Sequence, residues 1–509
     1  PVTTSGDRAP SSWRDVLIVF AVSVIVAVPL VAVRFPIGQD LPAHIETAAQ
    51  ILALWRGDAD VAAQHVLHGL PWPNALPTMA LAALMTVIDG LDAARLMTGL
   101  GLVLWPTSLA LLCLRLGRSP LWALAALPTT YDLAFAYGFF HFVVGKPLWA
   151  LVLAHAVDTA RSSDVRKHAA LAGLLPVLFC THLLLGLSAV ALCVVIVVIV
   201  GDGWRRRVAG IMSCVVGAVP ALWWMLGQPS APKDSLIALP LNEAISHLWA
   251  NLGDIAPDES DSVPWLLATV VVAVAVVGTL VQRRVRAGWL QRDTLVLLSL
   301  GLLTLGFALL GPIRTAQASV VAERFSSLGV ALLVLSVPIT IDHSRRWQRL
   351  AVVAAGIVIA VVMAAGTTTR WRAFNHDEMG DFDALLQRIP PGTATATHFV
   401  RPLSVNGRFN VLWHWPKLVS LRDGVTDDSF AWRATCVVGL RDGATPPRRR
   451  ALRANEPFSS KGLEGFDQLL VQGHDRRIDA AVRSGLLTPV LSTGVWHLLH
   501  INEPEAQGP

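Results

Sequence analysis

Charge is scarce in this chain. Only 15% of its 509 residues are Asp, Glu, Lys or Arg, whereas 53% are hydrophobic and the mean hydropathy is +0.54, outside the range of an ordinary soluble domain. Cysteine is scarce as well. Of the five, Cys113, Cys180, Cys193 and Cys214 fall in or beside apolar runs and Cys436 stands alone near the C-terminus, so neither a disulfide framework nor a Cys-based metal site is available there. No repeat of solenoid length and no low-complexity stretch interrupts the chain. The basic run Arg448 to Arg450 is accompanied by no Gly-rich phosphate loop, no Ser/His/Asp pattern and no nucleic-acid motif.

What is abundant is uninterrupted apolar sequence. Runs of about 14 to 24 residues lie near 15–33, 96–114, 119–134, 142–157, 168–181, 183–201, 208–226, 264–281, 294–312, 325–341 and 350–367. A backbone in hydrocarbon must satisfy its own hydrogen bonds, so these read as about eleven spanning helices. The first reads as a signal anchor, because its apolar core exceeds a typical h-region and no small-residue cleavage site follows.

Orientation follows from the basic residues, since short loops rich in Lys and Arg stay on the cytoplasmic side. Arg8 and Arg14 precede the first run, Arg115 and Arg118 follow the second, and Arg161, Arg166 and Lys167 separate the fourth from the fifth. Arg205 to Arg207, then Arg283, Arg284, Arg286 and Arg292, then Arg345, Arg346 and Arg349 continue the series. All fall on one face if the N-terminus is cytoplasmic and the apolar stretch Ala75 to Ile88 does not cross. The expected architecture is a mostly α, polytopic bundle over 1–367 and a small extracytoplasmic α/β domain over 368–509. An Ala-, Val- and Arg-rich composition points to a bacterial plasma membrane.

Three regions on the non-cytoplasmic side are large enough to hold a site: 35–92, 228–263 and everything after Thr367. The first begins Phe35-Pro-Ile-Gly-Gln-Asp-Leu-Pro-Ala-His-Ile-Glu. With a helix starting after Asp40 and Pro42 tolerated in its first turn, Asp40 and His44 share a face, while Ile45, Ala49, Leu52 and Trp55 form an apolar side against the bilayer. Asp40 would then be either a simple helix cap or a functional acid. The loop 228–263 is acidic, with Asp234, Glu243, Asp254, Asp258, Glu259 and Asp261 against Lys233, and reads as a lid or as a solvated loop.

A first extracytoplasmic loop opening Gly38-Gln-Asp40-Leu-Pro-Ala-His44 before an amphipathic helix resembles the GT-C class of membrane glycosyltransferases, in an uncharacterised bacterial branch. Asp92-Ala-Ala-Arg95, the segment Ala136-Tyr-Gly-Phe-Phe-His-Phe-Val-Val-Gly145, Thr181-His-Leu183, Phe466 to Val471 and Gly494 to Leu498 extend the resemblance over most of the chain. The resemblance implies an inverting enzyme that transfers a sugar from a polyprenyl-phosphate donor to an extracytoplasmic glycan, lipid or protein acceptor. It also implies juxtamembrane helices in 35–92 and an acidic residue at Asp40 as general base or metal ligand. Relatives of the oligosaccharyltransferase type carry paired acids in this loop, whereas here Leu41 and Pro42 follow Asp40, so a divalent metal stays an open alternative.

Glycosyl transfer to a hydroxyl needs a base for the acceptor proton. Asp40 is the candidate, with His44 as orienting partner or alternative base. The departing lipid phosphate needs a cation at the membrane boundary. Arg324, in Ala322-Glu-Arg-Phe325, is placed for this, with His182 and Lys146 as further phosphate-binding candidates and Asp132, His141 and Glu46 as other pocket residues. Against each stands a plainer reading: Arg324 and Lys146 snorkel to the interface with Glu323 as neighbour, and the histidines satisfy local backbone groups.

After the last run, Phe382 to Gly392 reads as a short helix stopped by Pro390-Pro391-Gly392, and Phe466 to Val471 reads as a strand. This C-terminal part is expected to contact substrate or to be structural, and not to supply the catalyst. The chain carries no nucleic-acid signature; its expected partners are membrane lipid, the lipid-linked sugar and the acceptor. Two alternatives are a secondary transporter, which would show ionisable residues within the spans and a pseudosymmetric repeat, and a non-catalytic envelope assembly protein.

Overall fold

The computed structural model describes residues 13–228, 237–252, 262–281, 291–315, 320–338, 346–400, 403–407, 410–426, 430–433, 435–441, 444 and 463–502. Arg8, Lys233, Asp234, Asp254, Asp258, Glu259, Asp261, Arg283, Arg284, Arg286, Arg345 and Arg448 to Arg450 lie outside the described residues.

Helices dominate. In chain order, the α-helices of ten or more residues are α1 (Trp13–Ala32), α2 (Leu41–Arg56), α3 (Ala75–Leu84), α4 (Gly90–Arg115), α5 (Phe140–Ala160), α6 (Val165–Thr181), α7 (Leu183–Val200), α8 (Trp204–Leu226), α9 (Leu241–Leu252), α10 (Ser262–Val281), α11 (Arg292–Leu310), α12 (Ser326–Ser336) and α13 (Arg346–Ala373). Among the described residues seven are long and apolar enough to cross a bilayer: α1, α4, α5, α7, α8, α11 and α13. α10, on the run at 264–281, adds a further apolar helix of 20 residues. The run at 119–134 forms a 3-10 helix over Pro120–Thr130 with every residue buried; Pro120 and Pro128 lack amide donors, and the segment packs among α1, α4, α12 and α13 with no lipid-facing side. The run at 168–181 gives the 17-residue α6, and the described part of 325–341 gives the 11-residue α12. α3, at ten residues or about 15 Å, is too short to span.

Patterning within the bundle is by size more than by polarity. α8 turns Val208, Met212, Val215, Val219 and Leu222 outward and Gly210, Ser213, Cys214, Gly217 and Ala221 inward. A Cβ on Gly217 would stand 2.8 Å from Leu175 of α6, so the small face is what allows the helices to approach.

The C-terminal half starts with α14 (Phe382–Arg388) and builds a five-stranded mixed sheet from β2 (Ala394–Phe399), β3 (Val425–Thr426), β5 (Gln468–Gln472), β6 (Leu487–Thr493) and β7 (Trp496–Ile501), in the order β3-β2-β5-β7-β6. β2 is parallel to both neighbours, and β7 is antiparallel to both of its own. A further pairing ties the two ends of the chain together. β1 (His65–Leu67), in the first loop, pairs antiparallel with β4 (Val438–Leu440), His65 opposite Leu440.

One hydrophobic core accordingly runs through both halves: Phe35, Ile45 and Ala48 of the first loop region pack with Phe374, Phe382, Trp415 and Trp496. The Asn375 side chain clasps the Phe35 backbone, accepting from its N–H at 2.9 Å and donating to its carbonyl at 2.6 Å. Residue 367 falls inside α13. The structure corrects the bilayer-facing reading of α2 at Ile45 only, since Ala49 and Leu52 are half-buried and Trp55 is exposed. Residues 41–48 are all buried, and Ile45 lies in the shared core.

Candidate active site

The site grows from the turn that carries Asp40. Gly38 and Gly138 let two chain segments touch: a Cβ on Gly138 would stand 2.9 Å from the Leu41 nitrogen and 3.2 Å from the Asp40 nitrogen, and its φ of +73° is one that residues with a Cβ adopt at a cost. The Asp40 amide donates to the Tyr137 carbonyl at 2.8 Å across this contact. The 136–145 segment thereby fixes the backbone at the start of α2.

The side chain is not spent on the helix. Asp40 stands at the N-cap position of α2, yet its carboxylate accepts no capping hydrogen bond, which removes the simple cap as its role. It is 6% exposed, and burial pushes its carboxyl up to about 6, against the opposing pull of Arg433, Arg324 and Lys417. His414 Nε2 lies 3.5 Å from Asp40 Oδ1.

His44 is buried on the same helix, its ring 4.3 Å from that of His141 and 5.8 Å from those of Phe140 and Phe430. Burial, joined by His141, Arg433, His414 and Arg324, holds its imidazole well below the usual histidine range, so it is neutral. The Asp40 carboxylate is met by His414, not by His44. His141 Nε2 is 2.6 Å from the Thr78 hydroxyl of α3.

Arg324 enters from the membrane half. Its guanidinium lies over the Phe139 ring at 3.6 Å and its Nε donates to the Val320 carbonyl at 2.7 Å. Arg433 enters from the C-terminal half and lies over the Phe430 ring at 3.8 Å. The two cations and Asp40 feel one another's charge. His182, at the junction of α6 and α7, uses Nδ1 to accept from the Leu185 amide at 3.3 Å and packs edge-on to Phe142 at 5.1 Å; it flanks this cluster as a local cap.

Lys146 and Asp132 do not join it. Lys146 is fully buried, its Nζ 3.0 Å from Asp132 Oδ2, which also accepts from the Ser327 hydroxyl. The Lys146 ammonium is held by this acid inside the bundle, so it does not snorkel to the interface. Glu46 is equally occupied: Oε2 is 3.2 Å from Lys417 Nζ and Oε1 3.5 Å from the Thr426 hydroxyl. Among the described residues no group of three or more His, Cys, Asp and Glu side chains is arranged to hold a metal ion.

His414, Lys417, Phe430 and Arg433 were not anticipated from sequence. They cluster around one ring: Phe430 has His414 edge-on at 5.3 Å and Lys417 at 5.7 Å in addition to His44 and Arg433. The interleaving of cations and aromatic residues between 413 and 433 is the one local signal that marks this stretch.

The whole-chain arrangement matches solved structures. ArnT from Cupriavidus metallidurans bound to undecaprenyl phosphate superposes with a TM-score of 0.57 over 98% of this chain and 100% of its own, at 14% identity. The fold is that of the GT-C class. The apo form of the same ArnT gives 0.56 over 95% and 97%, also at 14% identity. A mutant of the arabinofuranosyltransferase AftD from mycobacteria gives 0.54 at 16% identity; that GT-C-fold match covers 99% of this chain and 42% of AftD. No protein-family profile and no curated protein matches the sequence.

Proposed function

We propose that this protein is an inverting membrane glycosyltransferase, taking a sugar from a polyprenyl-phosphate carrier and passing it to an acceptor hydroxyl on the outer face of the plasma membrane. The observation that carries the reading is Asp40: a buried carboxylate, uncommitted to its helix, with Arg324 and Arg433 as its principal charge partners. The GT-C fold, seen with undecaprenyl phosphate in ArnT, supports the donor class.

In this reading Asp40 accepts the proton of the acceptor hydroxyl as that oxygen bonds to the anomeric carbon. The bond from that carbon to the phosphate oxygen breaks, the electron pair leaves with the polyprenyl phosphate, and Arg324 offsets the charge. With a carboxyl near 6, Asp40 is ionised at neutral pH yet basic enough to take the proton. His44, being neutral, contacts substrate without opposing the charge on Asp40.

The test compares two variants in reconstituted membranes supplied with polyprenyl-phosphate sugars. Asp40→Asn is expected to abolish turnover while still retaining donor, and Arg324→Ala to weaken donor binding tenfold or more. Full activity in Asp40→Asn would remove the proposed base.

A further inference from the structure

Two acids of the first loop meet two bases of the C-terminal half. His414 is the N-cap residue of a 3-10 helix, Trp415–Arg422, and Lys417 follows one turn on. Side chains three residues apart eclipse in a 3-10 helix, so His414 and Lys417 project from one side. That side faces α2. Lys417 grips Glu46 at 3.2 Å, with both side chains almost fully enclosed, and His414 Nε2 comes 3.5 Å from Asp40 Oδ1.

The enclosed pair acts as the anchor. Glu46 and Lys417 are 371 residues apart in sequence, and a buried ion pair of this kind tolerates no sliding, because either charge without its partner would be stranded away from water. The short rigid turn between Lys417 and His414 then fixes where the imidazole stands. Phe430 closes its other side edge-on.

We propose that His414 is the positioning residue of Asp40, its Nε2 hydrogen held toward Oδ1 so that the carboxylate meets the acceptor hydroxyl ionised and correctly turned. This rests on the reading of Asp40 as the base. The other groups around Asp40 act differently: Arg324 from the membrane half and Arg433 and Lys417 from the C-terminal half act through their charge, neutral His44 shares its helix with His141 behind it, and Tyr137 supplies a backbone carbonyl with Glu323 beyond it. Gln39 hydrogen-bonds the carboxylate from the adjacent position. His414, from the C-terminal half, brings Nε2 to 3.5 Å from Oδ1 of it. Removing a donor to the charged form leaves a carboxyl protonated to higher pH.

The experiment is an infrared difference titration of the full chain in nanodiscs between pH 4 and 9. The protonated-carboxyl band that vanishes in Asp40→Asn reports Asp40, with a midpoint expected at about 6. His414→Leu is expected to raise that midpoint by about one unit. His414→Asn, polar but too short to reach Oδ1, is expected to do the same, and keeps the test decisive where the leucine variant fails to fold. His414→Gln, which keeps a donor at similar reach, is expected to stay close to the native midpoint. An unchanged midpoint in a folded His414→Leu or His414→Asn would overturn the proposal. The readout needs no turnover, so an active Asp40→Asn would sink the base assignment while the titration still decides whether His414 holds Asp40.

Discussion

An ionised carboxylate buried as deeply as that of Asp40 destabilises the folded chain, and the sign of the effect is testable. Its folded value of about 6 lies above the ordinary 3.8, so between roughly pH 4 and 6 the folded state holds a proton that the unfolded state releases. Stability therefore falls as pH rises through that window, and the whole penalty, at most about 3 kcal/mol, is present above it. Asp40→Asn is expected to raise the melting temperature at pH 7.5 and leave it nearly unchanged at pH 4. Equal destabilisation at both values would contradict the burial argument. Sequence marked Asp40 and His44 for the site through the resemblance of their motif, and Arg324 as a boundary cation. It could not separate Lys146 from them: the difference lies in the fully buried contact with Asp132.

At the scale of elements, the contact between the 38–41 and 136–140 segments sets the position of α2. Gly138→Ala forces a Cβ into the Leu41 and Asp40 nitrogens at a φ that disfavours it, and a shift of the base by a fraction of an ångström is expected to lower turnover at least about tenfold. Gly173 on α6 has open space around it, so Gly173→Ala serves as the silent control in the same assay. The second element contact is α2 against the Trp415–Arg422 turn. Glu46→Gln removes the negative charge that faces the buried Lys417 ammonium, at a cost of about 3–5 kcal/mol, and limited proteolysis is expected to cut the C-terminal half before the bundle. Apolar runs revealed most helices because a helix in lipid is a local solution to a local problem. The run at 119–134 misled for the same reason, since its 3-10 form depends on the neighbours that enclose it.

For the whole molecule, the positive-inside pattern of the Arg clusters leads to the expectation that Asp40 and the C-terminal half face outward. In a chain with its own cysteines replaced, Ser163→Cys beside Arg161 and Arg166 is expected to react with an impermeant thiol reagent only after the membrane is opened, and Thr488→Cys to react in intact cells. The opposite pattern would place the site in the cytoplasm. Unity of the molecule rests on a few long-range contacts, namely the β1–β4 pairing, the Asn375 clasp on Phe35 and the core shared by Ile45 and Trp415. These make the first loop and the C-terminal half one wall of the same site.

The sequence by itself determined that this is a membrane-embedded helical protein and that its polar chemistry gathers in the loop after the first span. These follow from hydropathy and residue type, which are properties of short stretches. Only the tertiary structure decided that Asp40 is free of its helix, that Lys146 is spent on Asp132, and that His414, Lys417 and Arg433 complete the site. Each of those outcomes depends on a pairing between distant segments, and no pattern within a window of sequence encodes which distant partner a side chain will meet.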